Sequence, residues 1–396
     1  MSTRKTSSVT SKLPSRRSKN EFYRYYAGYP LDFAEWALRR LKLPEKSLVI
    51  DPWNGSATTA AACARLGLSF HGYDINPVMV HLGRARVASA ADFEDAAELI
   101  ELVRTYLGAA EVTSLAEVGA AFRQIPVGSE PAHSVAIAAL FPFARRLLTT
   151  SKTKNPSWFR KGAGLKDAEV PRGDLFETWV SMVEQVSLWR SSQDDAEGVA
   201  IAIERGDSRK SLGRKDAFDG LLTSPPYLTR LDYVQATLPE FLLLSELETV
   251  PDIQRLRRSM LGSPLTSDRP TSSVERLPKE IRALLGRIAD HSSKASASYY
   301  YRFFSTYFVD LQASMRNIGR ALKGGGKGCI VVQSSHYKEI EVDLVLAVKL
   351  LGREAGLRHT GTVAFDTRRS MSLVNSRAHE DARKPKNESA IFFRKE

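Results

Sequence analysis

Two hydrophobic rhythms alternate along the chain, and the points where one gives way to the other outline its architecture. Leu31, Phe33, Trp36, Ala37 and Leu41 share helical spacing and predict a helix over 30–41. Leu48-Val-Ile50 is a short apolar run that stops at Asp51-Pro52, the pattern of a buried strand entering a turn. Residues 56–66 are small with helical spacing, and Gly67 closes them. A second strand runs from Leu68 to Tyr73 and ends at Asp74. Strand, turn, helix, strand is the opening of a doubly wound α/β sheet.

The alternation then stops. Helical periods over 92–107, 114–125, 131–148 and 175–190 predict an inserted helical region, 89–196. The sheet resumes with a strand over 199–203, followed by Gly206-Asp207. A further strand, 218–222, runs into Thr223-Ser224-Pro225-Pro226-Tyr227. A second insertion, 228–297, reads as helical and then polar. A long helix over 298–322, a strand over 329–333 behind a Gly324-Gly325-Gly326 turn, a helix over 342–355 and strands over 359–365 and 390–393 complete the pattern. The sheet-bearing domain is therefore assigned to 21–88, 197–227 and 298–396.

Composition adds a partner. The chain is 43% hydrophobic and 26% charged, which suits a globular protein with a sizeable core. Its 57 Lys and Arg against 45 Asp and Glu leave a net charge of +12, a surplus that points to a polyanion, most commonly nucleic acid. Residues 1–20 carry Arg4, Lys5, Lys12, Arg16, Arg17 and Lys19 with no acid before Glu21, and read as a disordered basic arm that tracks phosphates or aids solubility. The stretch from Ser151 to Lys166 sets Lys152, Lys154, Arg160, Lys161 and Lys166 around Trp158 and Phe159. It suits a nucleic-acid contact loop, or else a solvated loop with a buried Trp. Cys63 and Cys329 sit in apolar runs and read as small buried hydrophobes, and the histidines show no metal-ligand spacing, so no metal is expected. Neither a signal-peptide core nor a membrane-length run is present. A cytoplasmic location and no membrane partner are the expectations.

Chemistry is concentrated in two turns. In Asp51-Pro-Trp-Asn-Gly-Ser-Ala-Thr-Thr59, small residues at 55–57 let backbone approach a ligand where a strand becomes a helix. Asp74, ending the next strand, either holds ribose hydroxyls or caps the following helix. In Ser224-Pro225-Pro226-Tyr227 the two prolines stiffen the backbone and remove two N–H donors, leaving a cluster of acceptors: the Ser224 hydroxyl and nearby carbonyls. That suits an amine whose hydrogens need acceptors while its nitrogen attacks an electrophile. Carbonyl dipoles aimed at those hydrogens stabilise the positive charge that grows in the transition state. Tyr227 offers a stacking face for an extruded base, worth roughly 1–3 kcal/mol.

With these segments in this order, the chain resembles the S-adenosylmethionine-dependent DNA amino-methyltransferases that modify cytosine N4 or adenine N6. Their first motif, commonly Asp-Pro-Phe-x-Gly-Ser-Gly-Thr-Thr, is similar to 51–59, and their fourth, Ser/Asn/Asp-Pro-Pro-Tyr, to 224–227. The similarity extends to Tyr29-Pro30, Phe33, Asp74-Ile-Asn-Pro77, Gly206-Asp207 and Gln333-Ser-Ser-His-Tyr337. It implies a class I methyltransferase fold, Rossmann-like: a mostly parallel seven-stranded sheet with an antiparallel strand near one edge, plus the helical insertions. It implies S-adenosyl-L-methionine as cofactor and direct in-line transfer to a flipped base, with no covalent intermediate. Asp51, Trp53, Gly55 and Ser56 would line the methionine moiety, Asp74 would take the ribose and Asp207 the adenine amino group. Ser224, Pro225 and Tyr227, on the corner stiffened by Pro226, would hold and activate the base. Ser at 224 favours cytosine N4 over adenine N6. Ala57 departs from the usual second glycine, a strain of roughly 1–2 kcal/mol if φ is positive there. Neither Cys follows Pro, which excludes the carbon-5 cytosine class.

In such a fold Arg230, Asp232 and Tyr233 leave the carboxyl edge directly after Tyr227. The last connection brings Arg368, Arg369, Arg377, Arg383, Lys384 and Lys386 to the same edge, where phosphate contacts are expected. The insertion 89–196, with Lys152, Lys154, Arg160 and Lys161, is the expected DNA-recognition region. The reading is a site-specific DNA methyltransferase, with restriction–modification or phage defence as the setting the resemblance implies. An RNA amino-methyltransferase shares both motifs, and a catalytically silent nucleic-acid-binding homologue is the reading that Ala57 motivates.

Overall fold

The computed structural model describes residues 23, 28–125, 129–148, 169–191, 193, 198–213, 215–228, 231–265, 271–367 and 386–396. The arm 1–20, the Lys/Arg loop with Lys152, Lys154, Arg160 and Lys161, and Arg230, Arg368 and Arg369 lie outside the described residues.

In chain order the elements begin with α1 (Leu31–Leu41), β1 (Leu48–Asp51), α2 (Thr58–Arg65), β2 (Ser69–Asp74) and α3 (Pro77–Arg86). The first insertion holds α4 (Ala90–Tyr106), β3 (Val112–Ser114), α5 (Leu115–Gln124), α6 (Glu130–Ala139), α7 (Phe141–Leu148), β4 (Glu169–Pro171) and α8 (Arg172–Ser191). Then come β5 (Ile201–Arg205), β6 (Phe218–Thr223), α9 (Leu238–Leu247), α10 (Ile253–Ser259), α11 (Lys279–Ala289) and α12 (Tyr301–Ala321). The chain ends with β7 (Leu322–Gln333), β8 (Ser335–Tyr337), β9 (Ile340–Val342), α13 (Leu344–Glu354), β10 (Leu357–Thr367) and β11 (Lys386–Lys395).

Seven strands form one sheet in the order β10-β11-β7-β6-β1-β2-β5. β1 pairs in parallel with β2 and β6, β2 with β5, and β6 with β7; β11 runs antiparallel between β7 and β10. This is the class I methyltransferase architecture expected, with its reversed strand next to an edge. From β1 the chain winds outward to β2 and β5, then returns to the other side through β6 and β7. The crevice between β1 and β6, at their carboxyl ends, is the switch point where such sheets bind ligands.

The period of two along each strand decides which helices cover which face. Val49, Leu222, Val331 and Phe392 pack with α1 and α2, whereas Ile50, Leu221, Val332 and Phe393 pack with α12 and α13. Cys63 and Cys329 are buried and unbridged, as their apolar settings predict. A third core joins α4 to α8 with Val78, Met79 and Leu82 of α3 and with Phe241 and Leu244 of α9. Within it Gly119 of α5 lies so close to α9 that an added Cβ would sit 1.9 Å from the Glu246 carbonyl oxygen. Gly119→Ala is expected to destabilise the fold by about 1–3 kcal/mol, as over-packing does, with a lowered Tm as the readout.

Several elements differ from the sequence expectations. The helix expected over 131–148 is two, because Pro142 has no N–H for the Ala138 carbonyl and the chain re-forms as α7. The glycine run 324–326 is no turn before a strand. It lies inside β7 as a bulge, with Phe218 opposite Leu322 and Gly220 opposite Lys327, and Gly325 takes a φ of 77°. The region expected to be polar contains α11, and β3–β4 and β8–β9 form two small antiparallel pairs. No helix among the described residues is long and apolar enough to cross a membrane.

Candidate active site

Because β1 and β6 are adjacent and parallel, both deliver their carboxyl ends to one edge. Asp51 closes β1 and Thr223 closes β6, and the Thr223 hydroxyl donates to Asp51 Oδ1 at 2.5 Å. The same oxygen accepts the Trp53 N–H at 3.1 Å, while Oδ2 accepts the Thr59 hydroxyl at 2.6 Å. Tyr29 shares a hydrogen bond with that hydroxyl at 2.6 Å. One buried carboxylate therefore ties the loop 51–59 to the strand that carries 224–227. Burial pushes its pKa up to about 6, against the Thr223 and Thr59 hydroxyls and the Trp53 N–H, which favour the charged form.

The loop turns through left-handed backbone twice, at Gly55 (φ 51°) and Ala57 (φ 61°, ψ 36°). Ala57 thus meets the condition for strain, roughly 1–2 kcal/mol, and its methyl is fully buried. The helix expected from 56 starts at Thr58 for the same reason. Gly55 N–H donates to Asp74 Oδ2 and Asn76 N–H to Asp74 Oδ1, each at 2.9 Å. Asp74 does not cap α3; Asn76 does, its side chain accepting the Val78 N–H at 3.1 Å. Each Asp74 oxygen holds one of these donors and has acceptor capacity for another. Burial raises Asp74 to about 6, offset by the Asn76 and Gly55 N–H groups. Trp53 and Ser56 are half-buried, and Arg86 Nη1 donates to the Ser56 carbonyl at 2.9 Å.

Asp207 follows β5 at the same edge, where Gly206 N–H donates to the Asp74 carbonyl at 3.0 Å. Its carboxylate is forked by Arg209, at 2.9 Å from Nε and 2.7 Å from Nη2. Arg209 also reaches Asp310 of α12 at 2.9 Å. Burial alone would raise Asp207, but the Arg209 bonds and charge hold it below the usual carboxylate range.

The corner 224–227 is braced on all sides. Ser224 Oγ donates to the Val331 carbonyl at 3.0 Å, and its side chain also meets the Tyr227 hydroxyl. The Pro226 carbonyl accepts the Tyr307 hydroxyl at 2.9 Å. Tyr227 N–H donates to the Tyr233 hydroxyl at 3.1 Å, and Tyr227 Oη donates to Glu388 Oε1 at 3.1 Å. Burial, then the Glu388 charge, raises the Tyr227 pKa, so its hydroxyl is a donor. Tyr233 itself is buried behind the corner. The structure thus brings Asp51, Trp53, Gly55, Ser56, Asp74 and Asp207 to one edge with Ser224 to Tyr227. Sequence reasoning missed the supporting roles of Thr59, Thr223, Tyr307 and Glu388. Hydroxyls next to both motifs, and a lone acid heading an apolar strand, were the available signals.

A family profile described as DNA methylase matches residues 6–84, the part containing the loop 51–59. The Type II methyltransferases M.AvaI of Nostoc sp. and of Anabaena variabilis are each 22% identical to the chain, over 92% of it and 85% of their own length. Among solved structures, the [4+2]-cyclase SpnF is 9% identical with a TM-score of 0.38, covering 95% of this chain and 85% of that one. A TehB-like SAM-dependent methyltransferase from Corynebacterium glutamicum is 7% identical with a TM-score of 0.31, covering 92% and 88%. The sheet order itself, and not these loose likenesses, identifies the architecture.

Proposed function

We propose, on the premise that the chain belongs to the S-adenosylmethionine-dependent DNA amino-methyltransferases, that it methylates cytosine N4 in DNA. The observation that supports this reading is the 2.5 Å bond between Thr223 and Asp51, which ties the loop 51–59 to the strand leading into the corner 224–227. The Type II name of its relatives supports a restriction–modification setting.

The residues fit the cofactor. At 55–57 no side chain is larger than a serine, and Asp74 retains acceptor capacity for ribose hydroxyls. S-adenosylmethionine supplies a methyl group on a sulfonium. Ser224 accepts from the amine of a flipped base, the corner's carbonyls orient that amine, and Tyr227 stacks on the ring. Ser224 supports cytosine N4, with adenine N6 as the competing target. The Asp207 carboxylate, which accepts from Arg209, would also accept from the adenine moiety's amino group. The basic residues Arg230, Arg368 and Arg369, the loop with Lys152, Lys154, Arg160 and Lys161, and the insertion 89–196 would carry the phosphate and sequence contacts. Tyr233 would act by holding the corner.

Long-read methylation mapping of DNA from cells expressing the protein tests this. N4-methylcytosine at a fixed sequence is the expected result. N6-methyladenine would correct the base, and transfer to RNA in preference to duplex DNA would overturn the substrate.

A pH dependence follows from Asp74. Cofactor binding needs its ionised, acceptor-only form, so affinity falls as pH drops through about 6. Calorimetric titration is expected to give roughly tenfold weaker binding at pH 5 than at pH 7.5, one decade per unit below the pKa, and Asp74→Asn is expected to flatten the difference. The stability of the free protein moves the other way. A folded pKa above the unfolded value near 3.8 lets the folded chain bind more protons between about pH 4 and 6, so this group stabilises more as pH falls through that window.

A further inference from the structure

Glu388 is the acid at the head of a buried run, Ser389 to Phe393, and its side chain is 0% exposed. It lies on the reversed strand β11, opposite Gln333 at the end of β7 and Phe365 on β10. A carboxylate in such a place costs desolvation, and a well-packed apolar residue would serve the sheet as well or better. Its place on β11 has a direct consequence for the site: Oε1 accepts the Tyr227 hydroxyl at 3.1 Å. At the other end, Tyr227 N–H is held by Tyr233 at 3.1 Å, and the preceding carbonyl, that of Pro226, is held by Tyr307 at 2.9 Å. The ring is thereby anchored at its backbone and at its tip.

We propose that Glu388 is a positioning residue for methyl transfer, fixing the plane of Tyr227 before the target base arrives. The inference rests on the base-pocket reading of 224–227. A ring free to turn about its side-chain bonds must be ordered when the base stacks on it. A ring already fixed by a charge-assisted hydrogen bond presents its face at no such cost, which is where pre-organisation raises a rate. A role confined to folding would act on stability and cofactor binding alike. A role through Tyr227 acts on turnover alone.

The test measures methyl transfer from radiolabelled S-adenosylmethionine to bacterial genomic DNA prepared from cells lacking the protein, with cofactor binding followed in parallel. Glu388→Leu is expected to lower kcat about 10- to 100-fold, the range for losing a hydrogen bond to a charged group, with the cofactor Kd within twofold of wild type. Glu388→Gln, which keeps an acceptor oxygen, is expected to restore at least about a third of the rate. Tyr227→Phe removes the same bond from the other side, together with the hydroxyl's contact with Ser224, so adding it to Glu388→Leu is expected to cost less than the product of the two single losses. Losses that multiply in the double variant, or a Glu388→Leu kcat within threefold of wild type, would overturn the inference. If Glu388→Leu fails to fold, Tyr227→Phe decides alone, since a wild-type rate there removes the bond's importance. No transfer to DNA by the wild-type protein would sink the base-pocket reading and this inference with it.

Discussion

Tyr227→Ala is expected to lower kcat for DNA methylation about 100-fold while leaving the dissociation constant for S-adenosylmethionine within about threefold of wild type. Stacking on an aromatic face contributes roughly 1–3 kcal/mol, and each 1.4 kcal/mol is a decade in rate. The separation of the two effects follows from the hydrogen bonds. The loop 51–59 is held by Asp51 and Asp74, whose partners are Thr59, Thr223, Trp53, Gly55 and Asn76. Tyr227 is held by Tyr233 and Glu388. Truncating the ring leaves every bond of the first set in place. Single-turnover methylation alongside calorimetry measures both quantities, and an unchanged turnover would refute the base pocket.

Asp51→Ala is expected to have the largest effect on the fold near the site, about 3 kcal/mol or more, with loss of measurable cofactor binding. The substitution strips the acceptor from the Thr223 and Thr59 hydroxyls and the Trp53 N–H, and a buried donor left unpaired costs about 1–3 kcal/mol. Asp51→Asn separates the causes. It keeps one carbonyl acceptor and removes a charge whose burial is itself unfavourable, as its pKa of about 6 records. Its stability is expected to stay within about 1 kcal/mol of wild type, while cofactor affinity falls. Thermal melts and calorimetry on both variants decide. Equal loss of stability in the two would mean that the charge, and not the hydrogen bonds, holds the loop.

The strands that frame the site were legible because their apolar runs are continuous and end at punctuation: Val49 and Ile50 before Asp51-Pro52, Leu221 and Leu222 before Ser224-Pro225-Pro226. A parallel strand buried on both faces has to read that way. The corner at 224–227 was legible for the same reason, since two prolines after such a run have no place in a helix or a central strand. What was missed lies where local pattern and tertiary partner diverge. In α11 the apolar residues Ile281, Leu284, Leu285 and Ile288 keep helical spacing, but Lys279, Glu280, Arg282 and Arg287 mask them in a polar reading. Around Leu140 the apolar period continues unbroken, and only Pro142 marks the join of α6 and α7. Glu388 contacts Tyr227 across a long sequence separation that no window along the chain can register.

The packing of α3 bears on how this protein could be re-engineered. Val78, Met79 and Leu82 leave the sheet domain to enter the same core as α4 to α8, and His81 bridges Ser134 on α6, at 3.1 Å, and Glu248 beyond α9, at 3.2 Å. The segment 89–196 is therefore not a detachable cassette. Exchanging it as a block would strand those apolar side chains in water or set them against foreign partners, so changes to this region have to be made residue by residue.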